Sequence, residues 1–160
     1  MKFDTAWAQT KSYFPLLMDC LADENMQNLN TLLTGGADGK FAIPLAKVSK
    51  HLTVLECDES CFIDTRDFES LLSKLQRHEL HNVDVLKLDF QSFQLQEPFD
   101  LIFTSCSRHY SRNKEFGVWS FIDKILSLSH TGSLLFPEKA HFAVPYDHTH
   151  KMGIFMGKIS

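Results

Sequence analysis

Between Leu32 and Lys40 the chain reads Leu-Leu-Thr-Gly-Gly-Ala-Asp-Gly-Lys, an apolar run that ends in glycines. Glycine lets a backbone come close to a ligand, and a helix that follows offers free N–H groups to it. Spacing bears on which ligand. A dinucleotide loop of the form G-x-G-x-x-G puts its last glycine five residues after the first. Counted from Gly35, that position is Lys40, and Gly39 lies four residues on, with Gly36 beside the first. The loop fits a shorter G-x-G-x-G pattern better. The plain alternative is an ordinary strand-to-helix turn.

Acids recur after the next apolar runs. Asp58 stands 19 residues after Gly39, where a carboxylate can accept both hydroxyls of a ribose. Glu56 is its rival: two residues apart on an extended chain, the two point to the same side. The flanking Cys57-Asp58-Glu59-Ser60 favours Asp58 and brings Glu59 to the same edge. Helix capping is the competing role for Asp58. Asp89, in Leu86-Lys-Leu-Asp-Phe90, could accept from an adenine amine with Phe90 or Phe93 beside the ring; a turn cap and ordinary core aromatics are the alternative. Thr104-Ser-Cys-Ser-Arg-His-Tyr110 supplies polar groups after a further apolar run. His109 there could take a proton from an attacking O–H or N–H group, a surface or capping histidine being the alternative. His148 and His150, with His141 upstream, suggest a solvated turn rather than a metal site, since no fourth ligand is evident.

These residues need elements to hold them. Phe14, Leu17, Met18 and Leu21 recur with helical period, as do Phe68, Leu71, Leu72 and Leu75, and Val118, Phe121, Ile122, Ile125 and Leu128. A helix is also expected from about Lys40 to Ser49, with Pro44 in its tolerant first turns. Strands are expected over 29–34, 52–57, 83–88 (with Val83, Val85 and Leu86 inward), 99–104 and 133–136. Such alternation implies a single α/β domain over 1–160: a doubly wound, mostly parallel sheet with helices on both faces. Its ligand site should lie at the carboxyl ends of the strands. Residues 141–145 and 153–159 are expected to form an antiparallel hairpin at the sheet edge.

The chain has 160 residues, 44% hydrophobic and 22% charged, as one globular domain requires. A net charge of −4 without a basic stripe argues against unselective nucleic-acid binding. No apolar run approaches the roughly 18 residues that span a bilayer, and the N-terminus is not a secretory signal, so a cytosolic protein is expected. Four cysteines without C-x-x-C spacing are expected to stay reduced there.

Taken in order, residues 29–136 resemble the class I S-adenosylmethionine-dependent methyltransferases, with a degenerate first motif. Leu32–Lys47, including Gly35, Gly39 and Phe41-Ala-Ile-Pro-Leu-Ala-Lys47, is similar to the first motif and its helix. Thr53–Ser60 and Val85–Phe90 resemble the second and third, Phe99–Thr104 the fourth strand, and His130-Thr-Gly-Ser-Leu-Leu135 the turn into the fifth. The resemblance implies S-adenosylmethionine held by Gly35, Gly36, Gly39, Asp58, Glu59, Asp89, Phe90 and Thr104, and methyl transfer to an acceptor, a small molecule given the chain's size. Two positions depart from the family. Leu33 replaces the acid that meets the cofactor's ammonium, and Ala37 replaces the middle glycine. Asp38, the nearest carboxylate, is then the candidate ammonium partner, with helix capping as its other reading. These departures also define an alternative function, a non-enzymatic binding or interaction module on the same fold.

Overall fold

A computed structural model describes residues 3–6, 19, 25–94, 97–105, 117–138 and 157–158. Its sheet runs β3-β2-β1-β4-β5-β6. The strands are β1 (Asn30–Thr34), β2 (His51–Leu55), β3 (Val83–Leu86), β4 (Phe99–Ser105), β5 (Ser129–Glu138) and β6 (Gly157–Lys158). The first five are parallel, and β6 lies antiparallel to β5. Strand β6 falls within the expected 153–159, but its described partner is β5; residues 141–145, the partner expected for it, lie outside the described residues.

Alternation of side chains along the central strands explains why both faces are covered. Leu33, Val54, Leu101 and Phe103 face one side, where helix α1 (Ala42–Ala46) and helix α2 (Leu71–Arg77) bring Ala42, Ile43, Leu45, Leu71 and Leu75. Leu32, Leu55, Phe99 and Ile102 face the other, covered by Phe121 and Ile125 of helix α3 (Val118–Ser127). The sheet is therefore doubly wound, as the alternation of elements predicts.

Several elements differ from their expected bounds, and for three the reason is visible. Helix α1 stops at Ala46 rather than Ser49. The Asn82 amide donates to the carbonyls of Ala46 and Ser49, and the Lys50 amide to Leu29, drawing the chain into β2. Helix α2 begins after Ser70, whose hydroxyl caps the Ser73 amide. Phe68 consequently lies outside the helix, bridged to Thr65, and Leu72 points outward at 46% exposure. Strand β5 starts four residues early, because a bulge at Phe99/Leu101 lets Ser129 pair with Phe99 before Gly132, at φ 98°, returns the chain to register. Leu86, expected inward, is 37% exposed on edge strand β3.

Candidate functional site

Chain connectivity reverses between β1 and β4: one branch runs from β1 to β2 and β3, the other from β4 to β5. Clefts in such sheets open at the carboxyl ends of the strands flanking this reversal. There Thr34 of β1 registers with Thr104 of β4, and both are buried.

The loop after β1 is held by the end of β2. The Gly35 and Gly36 amides donate to the Leu55 carbonyl at 2.9 and 3.3 Å. Glu56, 7% exposed, accepts the Ala37 amide on Oε2 at 2.7 Å and the Asp58 amide on Oε1 at 2.8 Å. One carboxylate thus joins the two loops that wall the cleft. Its grip matters, because Ala37 sits at φ 45°, a left-handed conformation that costs a residue with a Cβ about 1–2 kcal/mol. Gly36 permits close packing rather than a turn: a Cβ there would lie 2.4 Å from Val54 Cγ1. Gly39 combines φ 94° with a Cβ direction facing Ile43 and Leu71, so its lack of a side chain serves the fit of loop to α1 and α2.

Asp38 is fully buried and faces the N-terminal segment. Its Oδ1 accepts the Thr5 hydroxyl at 2.7 Å, and its Oδ2 the Ala6 amide at 2.7 Å and Lys74 Nζ at 2.9 Å. The structure departs here from the expectation that Asp38 receives a ligand's ammonium: both its oxygens are engaged within the protein, and its charge is paired with Lys74. Leu33 is equally buried, in the core. Neither position presents a carboxylate to the cleft.

The remaining sequence candidates separate. Asp58 is exposed and caps the 3₁₀ turn Glu59–Phe62, its Oδ1 accepting the Ser60 amide and hydroxyl at 2.9 and 2.7 Å. Glu59 is exposed on the same turn. Asp89, half-buried, caps the 3₁₀ turn Phe90–Ser92 through the Gln91 amide at 2.9 Å. Phe90 is a core side chain, 5.0 Å from Phe121 between ring centroids, and Phe93 packs against Phe99. Both were candidates to flank a purine, and both instead fill the face beneath α3. His109, His141, His148 and His150 lie outside the described residues.

Gln91 was not singled out by its sequence, since an isolated glutamine has no motif. Its Oε1 is the one buried side-chain oxygen or nitrogen without a hydrogen-bond partner among the described residues. It follows Asp89 by two positions, in the loop after β3. Lys74 was missed for a similar reason: it sits in an amphipathic helix where lysine is ordinary. Cys61, buried below the Glu56 loop, has its thiol pushed up to about 12, by burial and then by the charges of Glu56 and Asp58. It stays a thiol at neutral pH and is no nucleophile.

The arrangement can be tested against an adenosyl ligand from its donor set. Glu56 and Asp58 after β2 are carboxylates of the kind that accept ribose hydroxyls, and Asp89 after β3 is one of the kind that accepts an exocyclic amine. These fit the adenosine part. At the methionine part the loop after β1 offers no carboxylate to an ammonium.

No family model and no curated protein matches the sequence. Solved structures do match the fold. The N-methyltransferase NodS from Bradyrhizobium japonicum WM9, solved with S-adenosyl-L-homocysteine, superposes with a TM-score of 0.59 at 23% identity over 78% of this chain and 58% of its own. Coclaurine N-methyltransferase, bound to N-methylheliamine and S-adenosylhomocysteine, gives 0.57 at 17% identity over 84% of this chain and 39% of its own. An rRNA methylase from Streptococcus thermophilus gives 0.60 at 17% identity over 81% of this chain and 72% of its own. The chain thus spans well under two thirds of the two N-methyltransferases. At these identities the common property is architecture: this chain has the fold of the class I S-adenosylmethionine-dependent methyltransferases.

Proposed function

We propose that the chain binds S-adenosylmethionine at the carboxyl ends of β1, β2 and β3 and directs its methyl group to an acceptor. The observation that carries this reading is the Glu56 bridge, which builds a fixed cleft wall from the loops after β1 and β2. Solved relatives of this fold hold S-adenosylhomocysteine. Bound there, the cofactor would supply an electrophilic methyl group.

The chain's own part is orientation. Glu56 lies on the wall between both loops, and each oxygen that accepts an amide retains a second lone pair for a ribose hydroxyl. Asp58, the acid favoured by its flanking residues, would support it from the rim beside Glu59. Asp89 would receive the adenine amine. Gly35, Gly36 and Gly39 shape the loop, and Thr104 closes the floor beside Thr34. His109, in the segment after β4, is proposed as the base that takes the acceptor's proton. A net charge of −4 favours a small molecule over nucleic acid as acceptor. No helix among the described residues is long and apolar enough to cross a membrane.

Calorimetry with S-adenosylhomocysteine and with S-adenosylmethionine tests the reading. Saturable one-to-one binding of both is expected; no heat with either ligand at millimolar concentration would end it. A second reading, a binding or interaction module without methyl transfer, is favoured by Leu33 and by the engagement of Asp38 with Lys74. It would be chosen by product binding without transfer to any amine, hydroxyl or thiol offered.

A further inference from the structure

Two buried charged side chains reach the loop after β1 from outside it. Glu56 holds the Ala37 amide, and Lys74 of α2 holds the Asp38 carboxylate. Lys74 does more than pair. Its Nζ also donates to the Asp4 carbonyl at 3.0 Å. Asp4 is held further by Arg77 and by His78 Nε2 at 3.1 Å. Asp38 takes the Thr5 hydroxyl and the Ala6 amide, and the Phe3 ring meets Phe41 edge-on at 5.8 Å. Residues 3–6 therefore form a strap across the loop, tied to it through Asp38 and Lys74.

The loop needs such anchors. Ala37 is left-handed, and its neighbour Asp38 is the residue Lys74 holds. A charge pair inside a protein is a poor source of stability, since desolvation offsets its attraction, but its geometry is exacting. Lys74 and Asp38 are both almost wholly removed from water.

We propose that Lys74 is a positioning residue for the cleft: by pairing with Asp38 and holding the Asp4 carbonyl, it ties the N-terminal strap to the loop after β1 and keeps Ala37 in its left-handed conformation. Strap docking and loop shape are then one event. A ligand that needs the formed loop binds only with the strap in place, and its binding orders the strap.

Amide hydrogen exchange resolved by residue tests this, on the parent protein and on the double variant Asp38→Asn/Lys74→Met. The double variant removes both charges together, because Lys74→Met alone strands a buried carboxylate and can fail to fold. Exchange at the Ala37 and Ala6 amides should quicken by about tenfold or more, while Leu33 and Val54 keep parent rates. Adding Ala37→Gly should recover most of the Ala37 protection, since glycine takes the left-handed conformation without strain. The same substitution in the parent should change little. Parent-level protection of Ala37 in the double variant would overturn the proposal. So would a loss that Ala37→Gly fails to recover, or one shared equally by Leu33 and Val54. A ligand arm rests on the cofactor reading: affinity for S-adenosylhomocysteine should fall about tenfold in the double variant and return with Ala37→Gly. Should the parent not bind that ligand, the cofactor reading fails, while the exchange arm still decides the role of Lys74.

Discussion

Glu56 Oε2 accepts the Ala37 amide at 2.7 Å, which makes the acid after β2 a structural part of the loop after β1. Glu56→Ala removes the acceptor for two backbone amides as well as a proposed ribose contact. Affinity for S-adenosylhomocysteine should fall by about a hundredfold, and stability by about 1–3 kcal/mol for the amides left unmatched. Asp58→Ala removes a cap on an exposed turn and should cost affinity only several-fold. Titration calorimetry on both variants separates them; a larger loss for Asp58→Ala would return the ribose role to Asp58.

Gly36 is a packing residue. A Cβ built on it lies 2.4 Å from Val54 Cγ1 and 3.2 Å from Leu71 Cδ2. Gly36→Ala should destabilise the fold by about 1–3 kcal/mol through overpacking. Val54→Ala added to it removes the nearest clash and should cost less than the two single changes summed, a coupling that urea unfolding measures directly. Strict additivity would place the strain elsewhere.

Much of this architecture is legible in the sequence because it is local. Leu32 and Leu33 face opposite sides of the sheet, as do Leu101 and Ile102, so a doubly covered parallel sheet follows from apolar runs alternating with helical periods. The glycine loop and the acids that follow β2 and β3 are legible for the same reason: each stands at a strand end. The roles of those acids are not, because they depend on contacts between distant segments. Asp38 and Lys74 are 36 residues apart, and Glu56 meets Ala37 across 19. Nothing in Ala37-Asp38-Gly39 announces that a lysine on α2 will claim the carboxylate. Phe90 misleads in a related way: an aromatic beside a cleft acid is equally suited to a purine or to the Phe121 ring, and period alone does not choose.

The Phe41–Phe103 contact, at 5.1 Å between centroids, joins α1's N-terminal side to the centre of the sheet. Phe103 is wholly buried, so Phe103→Ala should cost about 3–5 kcal/mol, transfer and cavity together. Trp119, 77% exposed on α3, is the matched control: Trp119→Ala should stay within about 0.5 kcal/mol of the parent. Urea midpoints measure both. A large loss at Trp119 would show that its face is covered in the folded protein.

At the amino ends of the strands, His130 gives stability a defined pH dependence. Its Nδ1 lies 2.8 Å from the Thr131 carbonyl and its Nε2 3.0 Å from Asp100 Oδ1. Only the imidazolium donates to both. The Thr131 carbonyl first, and the Asp100 carboxylate next, therefore raise the ring's pKa above its ordinary value of 6.5. A raised folded-state pKa means that protonation favours the native chain. The contribution is complete below the unfolded value near 6.5 and disappears as pH climbs through the higher folded value. The ring is exposed, so the effect is small and salt weakens it. Thermal midpoints at low salt should fall between about pH 6 and about pH 8 more steeply for the parent than for His130→Gln, in the range where histidine titrates. Asp100 also accepts the Asn30 amide on Oδ2 at 2.8 Å, so His130→Gln leaves the start of β1 anchored and isolates the titration. Parallel slopes for the two proteins would mean that His130 has the same pKa folded and unfolded, and would remove this pair from the pH dependence of the fold.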